Sequence, residues 1–109
     1  MENAEDKRIF CRFVLPDIPL RFKDLKVGDR GTARVKNISG SGLGMDSHVE
    51  VKPKTPLEMW LDLSDGFEPL HLMGRVAWVK RDGEVWQTGV AFNRQKLISM
   101  ARIMRLEYI

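Results

Sequence analysis

Leu57, Met59, Leu61 and Leu63 alternate one for one with Glu58, Trp60 and Asp62. A period of two sends successive side chains to opposite faces, which is strand geometry and cannot be satisfied by a helix. The same period recurs in Ile18–Lys23 and in Thr32–Val35, where Ala33 and Val35 point inward. It returns in a long segment through Leu70, Leu72, Gly74, Val76 and Trp78, and in Trp86, Thr88, Val90 and Phe92. Turn residues separate the segments: Val27-Gly28-Asp29, a hairpin-type Ser64-Asp65-Gly66, and Asp82-Gly83, with Pro53 and Pro56 bracketing a further connection. Pro16 and Pro19 argue against a central strand where they fall. Five to seven short strands joined by turns, with no helix between them, predict an antiparallel all-β domain closed as a small barrel.

The period changes near the end of the chain. Asn93 is a fitting N-cap, and Leu97, Ala101, Met104 and Tyr108 fall on one helical stripe, so residues 94–109 are expected to form a C-terminal helix. At the other end, residues 1–7 read as a flexible tail. From Ile9 onward Ile9, Cys11, Phe13 and Leu15 face one way, and Arg8, Phe10, Arg12 and Val14 the other. The 109 residues suit one core. Cys11 is the single cysteine, so no internal disulfide forms, and beside the arginines it reads as a small apolar side chain rather than a nucleophile. No apolar run is long enough for a membrane span and the polar, acidic first residues are no secretory signal, which leads to the expectation of a soluble cytoplasmic protein. The net charge of +3 permits an anionic partner without demanding long nucleic acid, and the basic residues appear in the N-terminal third and the helix rather than along one barrel face.

One stretch departs from plain strand chemistry. Asn37-Ile38-Ser39-Gly40-Ser41-Gly42-Leu43-Gly44 packs three glycines and two serines into eight residues. Ile38 is out of step with Ala33 and Val35, the slip that a β-bulge near Lys36-Asn37 produces; Leu43 and Met45 then resume the inward face. The loop offers N–H groups, hydroxyls and the Asn37 amide to an anion or a base edge, or is simply a tight turn between strands. His48 and His71 stand without ligands at metal spacing, and no nucleophile elbow or phosphate loop occurs, so nothing argues for an enzyme, a metal or a cofactor.

Arg8-Ile9-Phe10-Cys11-Arg12 is an R-x-x-x-R pattern, and Asn37-Ile38-Ser39-Gly40-Ser41-Gly42 an N-x-S-x-x-G pattern. In this order and at this distance they resemble the signature of the PilZ domain family. Gly74-Arg75-Val76-Ala77-Trp78 and Gly89-Val90-Ala91-Phe92 are similar to two of the family's strands. The resemblance implies a six-stranded antiparallel β-barrel with a C-terminal helix that binds the second messenger cyclic di-GMP and signals to a partner protein. It divides residues 8–109 into an arginine switch loop (8–16), the barrel (17–93) and the helix (94–109). It implies that Arg8 and Arg12 grip phosphates and guanines, with Lys7 compatible with a stacked ligand pair. Asn37 and Ser39 would act from the strand side, with Gly40, Ser41 and Gly42 forming the tight loop. Guanidinium suits this work because its planar fork pairs with phosphate or guanine O6/N7 and also stacks on a base. Trp78 is either a stacking residue at the barrel mouth or a core tryptophan. The alternative reading is a small basic barrel binding single-stranded nucleic acid.

Overall fold

Each alternating segment becomes a strand. The computed structural model of the protein describes residues 13–94 and Arg102. Six strands follow in order: β1 (Phe13–Asp24), β2 (Arg30–Ile38), β3 (Gly42–Ser47), β4 (Pro56–Leu61), β5 (Leu70–Asp82) and β6 (Val85–Phe92). They close into a barrel in the order β1-β2-β3-β6-β5-β4, every pair antiparallel, with Leu20 of β1 beside Leu61 of β4 at the seam. Closure pairs every strand on both sides and leaves no open edge.

The interior is the apolar half of the alternation. Leu57, Met59 and Leu61 are fully enclosed with Leu20, Val35, Leu43, Met45, Leu72 and Val76, and Leu63 caps them just beyond β4. Burying each such side chain contributes about 1.5–3 kcal/mol, which is why the inward set is so consistently aliphatic. At one end Phe22 folds across its register partner Gly31, where a Cβ would sit 2.5 Å from the ring. The Asp82-Gly83 turn is a two-residue connection between register partners Asp82 and Val85, with Gly83 at a φ of 64°.

Three expectations need correction. The prolines do not exclude a strand: β1 runs through both, because its pairing with β2 is interrupted between Val14 and Ile18 and its ladder with β4 starts only at Leu20. Asp17, at a φ of 50°, marks that interruption. Ser64-Asp65-Gly66 is not a tight hairpin turn but part of a longer connection over residues 62–69, with positive φ at Ser64 and Gly66. The basic residues of the N-terminal third do gather on one barrel face, since Arg21, Arg34 and Lys36 line a single cavity outside β1 and β2.

Of the expected helix over 94–109 only Arg94, which is in a bend, and Arg102, which is helical, are among the described residues. Its guanidinium donates to both carboxylate oxygens of Asp65, at 2.7 and 2.8 Å, and to the Glu68 carbonyl at 2.6 Å, while lying 5.8 Å from the Phe67 ring centroid. This fork ties Arg102 to the β4–β5 connection. Among the described residues no helix is long and apolar enough to cross a membrane.

Two predictions follow from packing and charge. Thr88 is fully buried, and its hydroxyl has no hydrogen-bond partner among the described residues. An unsatisfied buried hydroxyl costs about 1–3 kcal/mol, so Thr88→Val is expected to stabilise the barrel by about 1 kcal/mol in urea unfolding. Hydrogen bonds from Arg102 hold the Asp65 carboxyl down to about 2, from an ordinary value of 3.8. A depressed folded-state value adds stability above the unfolded value and loses it as pH falls through the folded one. Asp65→Asn should therefore lower the urea midpoint at neutral pH, and the difference from wild type should shrink between about pH 4 and pH 2.

Candidate functional site

Two bulges decide which side chains stand outside the barrel. In β2, Val35 pairs with Met45 and Asn37 with Gly44, so Lys36 is the extra residue. The inward series Ala33, Val35 would otherwise continue to Asn37; the bulge turns Asn37 outward and lets Ile38 fill the core. In β5, Val76 pairs with Val90 and Trp78 with Gly89, so Ala77 is the extra residue. The inward series Leu72, Gly74, Val76 would continue to Trp78; instead Val79 packs against the core and Trp78 is 48% exposed.

Both displaced side chains reach the same place. Asn37 pairs with Gly44, Gly44 with Gly89, and Gly89 with Trp78, a single row across β2, β3, β6 and β5. With strands about 4.8 Å apart, the row's ends stand about 14 Å apart at the backbone. The side chains at its ends lean inward over the glycines. A Cβ on Gly44 would meet the Asn37 amide at 3.0–3.3 Å, and one on Gly89 would lie 2.2–2.3 Å from the Trp78 indole. The indole thus lies on bare backbone with its other side toward solvent, an aromatic surface on which a flat ring can stack. Lys36, Asp46 and Gln87 complete a cavity of about 270 Å³ with these residues. The Lys36 ammonium donates to the Asp17 carboxylate and lies 4.0 Å from that of Asp46. These partners, the Asp17 hydrogen bond foremost, raise its pKa and keep it charged.

The N-x-S-x-x-G loop has an internal division of labour. The Ser39 N–H donates to the Gly42 carbonyl at 2.8 Å, and the Phe92 N–H to the Ser41 carbonyl at 2.8 Å. Ser39 is buried, and its hydroxyl accepts from the Ser41 N–H and meets the Ser41 hydroxyl at 3.1 Å. It therefore shapes the loop, whereas Ser41 is exposed. Gly40 and Gly42 are buried, and a Cβ on Gly42 would lie 2.3 Å from the Val90 carbonyl oxygen, so only glycine fits there. Of the residues expected at the site, Asn37 and Trp78 line one cavity and Ser39–Gly42 form the adjoining turn. Lys7, Arg8 and Arg12 lie outside the described residues. Phe13 pairs with Ile38 and Val14 with Asn37, so β1 begins beside the Asn37 motif. Gly44, Gly89, Lys36, Asp46 and Gln87 were not expected at the site. Gly44 and Gly89 stood inside recognised sequence patterns, but their pairing appears only once strands are placed side by side. Among the described residues no group of His, Cys, Asp and Glu is arranged to hold a metal ion.

A closed antiparallel barrel with a glycine-floored outer shelf and a serine–glycine turn beside it defines a small all-β domain with a candidate ligand surface. Residues 4–108 match the family model of the PilZ domain, and the chain belongs to that family. Among solved structures, the inhibitor of motility MotI/DgrA of Bacillus subtilis is similar with a TM-score of 0.69 at 13% identity, covering 99% of this chain and 54% of that one. The PilZ domain of YcgR from Escherichia coli with c-di-GMP gives 0.68 at 12% identity, covering 89% of this chain and 86% of that one. MrkH of K. pneumonia in complex with c-di-GMP gives 0.62 at 16% identity, covering 89% and 48%. The chain thus spans about half the length of MotI/DgrA and less of MrkH. No curated protein matches it by sequence.

Because the indole rests on Gly89, Gly89→Ala is expected to swing Trp78 off the sheet while the barrel persists. The Trp78 indole N–H signal in a nitrogen–proton NMR spectrum should move strongly, with the other two tryptophan indoles little changed.

Proposed function

We propose that this PilZ domain is a receptor for cyclic di-GMP and acts by binding rather than by catalysis. One observation carries the reading. The family match spans both signature motifs, and Phe13, the residue that follows the R-x-x-x-R pattern in sequence, is the register partner of Ile38 in the second motif. Two solved relatives of the same fold, YcgR and MrkH, are complexes with this nucleotide.

The chemistry of the residues supports the assignment. Trp78 offers a flat surface for a guanine, and the Asn37 amide a donor and an acceptor for its edge. Ser39, Gly40 and Gly42 hold the turn, and Ser41 adds an exposed hydroxyl. Arg8 and Arg12 supply guanidinium forks for phosphates and guanine, and Lys7 adds charge for a second, stacked ligand. Residues 8–16 then act as the switch segment between the tail (1–7) and the barrel (17–93), with 94–109 as the helix. Drawing the arginines across the Asn37–Gly42 turn changes the surface offered to a downstream protein, in the cytoplasm where such a messenger acts.

Calorimetric titration tests the reading: cyclic di-GMP should bind saturably, and linear RNA of similar charge should not compete. Arg8→Ala and Arg12→Ala should each weaken binding about ten- to a hundredfold, since a charge-assisted hydrogen bond contributes roughly 1.5–3 kcal/mol. Asn37→Ala should cost less, about 0.5–1.5 kcal/mol, as a neutral hydrogen bond does. Amide exchange over residues 5–15 should slow when the nucleotide is added. Absence of calorimetric binding would refute the assignment.

A further inference from the structure

Outside β1 and β2 lies a second concavity, larger than the shelf. A cavity of about 610 Å³ is lined by Arg21, Thr32, Arg34 and Lys36 among others. A second of about 280 Å³, containing Arg30 and Trp60, shares Arg21 and Thr32 with it. Arg21 is the register partner of Thr32 on one side and of Trp60 on the other, so the two cavities form one groove across β2, β1 and β4.

The groove's charge is unbalanced. Of its two carboxylates, Asp17 accepts from Lys36 and Asp46 lies 4.0 Å from the same ammonium, against four basic side chains; the Arg34 guanidinium also donates to the Asp17 carbonyl at 3.2 Å. Arg21, Arg30 and Arg34 are exposed, and among the described residues no carboxylate lies within 4.0 Å of their guanidiniums. Arg21 stands 5.7 Å from the Trp60 ring centroid, which fixes a cation beside a half-buried aromatic. Arginine and tryptophan set together in a concave surface are the residues that most often dominate protein recognition.

We infer that this groove docks an extended acidic segment of a partner protein, its carboxylates on Arg21, Arg30 and Arg34 and an apolar or aromatic side chain against Trp60. Arg30 and Arg34 share one face of β2 about 13 Å apart, a spacing that carboxylates four residues apart on one face of an extended peptide can match. The closed barrel offers no strand edge, so the contact runs through side chains rather than by strand addition. A polypeptide fits better than a nucleic acid. Asp17 and Asp46 at one end, and Glu58 beyond Trp60, would oppose a polymer charged at every step, whereas a peptide can place its charges opposite the arginines alone.

The inference does not rest on the nucleotide reading, and its test uses the full chain without nucleotide. A fluorescein-labelled peptide of alternating glutamate and tyrosine is titrated by anisotropy against wild type, Arg21→Glu/Arg34→Glu, and a control Lys52→Glu/Lys80→Glu that changes the net charge equally outside the groove. The groove variant is expected to lose roughly tenfold or more in affinity, and the control less than about twofold. Melting curves establish that each variant is folded, and Arg21→Gln/Arg34→Gln gives the same reading with a smaller loss if charge reversal unfolds the barrel. Equal losses in the groove and control variants would overturn the inference, because net charge alone would then explain binding. It would equally be overturned if a single-stranded oligothymidylate bound wild type more tightly than the peptide and lost that binding in the groove variant.

Discussion

In a strand only every second side chain can face the interior, so a single extra residue exchanges inside and outside for everything beyond it. This barrel depends on that exchange twice, at Lys36 in β2 and Ala77 in β5. Each bulge moves a polar or bulky residue out of the core and an aliphatic one in: Asn37 gives way to Ile38, and Trp78 to Val79. Core and shelf are therefore not separate achievements of the sequence. Were either extra residue paired in a regular ladder, an amide or an indole would turn into the closed barrel and an aliphatic side chain out onto the shelf.

The irregular stretches also support one another. The break in β1 between Val14 and Ile18 lies across from the β2 bulge, and Lys36, the extra residue of one, pairs with Asp17, the positive-φ residue of the other. Lys36 and Asp46 line both the shelf cavity and the larger groove outside β1 and β2. A charge bound at one concavity thus acts on residues that form a wall of the other.

How much of this the sequence disclosed depended on contrast between neighbours. The β2 bulge was legible because Ile38, an apolar residue, broke step after Ala33 and Val35. The β5 bulge was not, because Trp78 and Val79 are both apolar and either satisfies the inward series by pattern alone; only the space at Gly89 settles which one leaves. Pro16 and Pro19 argued against a strand by a sound rule, but the rule assumes a ladder on both sides: Pro16 sits in the break of β1, and Pro19 pairs with Arg34 one residue before the β4 ladder begins. Ser39 carried a hydroxyl within a binding pattern, yet burial turned that hydroxyl onto the loop's own backbone. Arg21 becomes a neighbour of Arg30 and Arg34 only through the β1–β2 register, and of Trp60 only through the β1–β4 register.

The strand order has a consequence in time. The two glycines beneath the shelf belong to β3 and β6, and the seam joins β1 to β4. Neither contact can form between adjacent segments of a growing chain, and loops of that span must close before their ladders return any stability. Barrels dominated by such distant pairings fold in milliseconds to seconds rather than microseconds. On the ribosome, β3 presents an unpaired edge until residues 85–92 have been made. The shelf therefore cannot form before β6 is made, and a chain truncated ahead of β6 would lack the floor on which the indole rests.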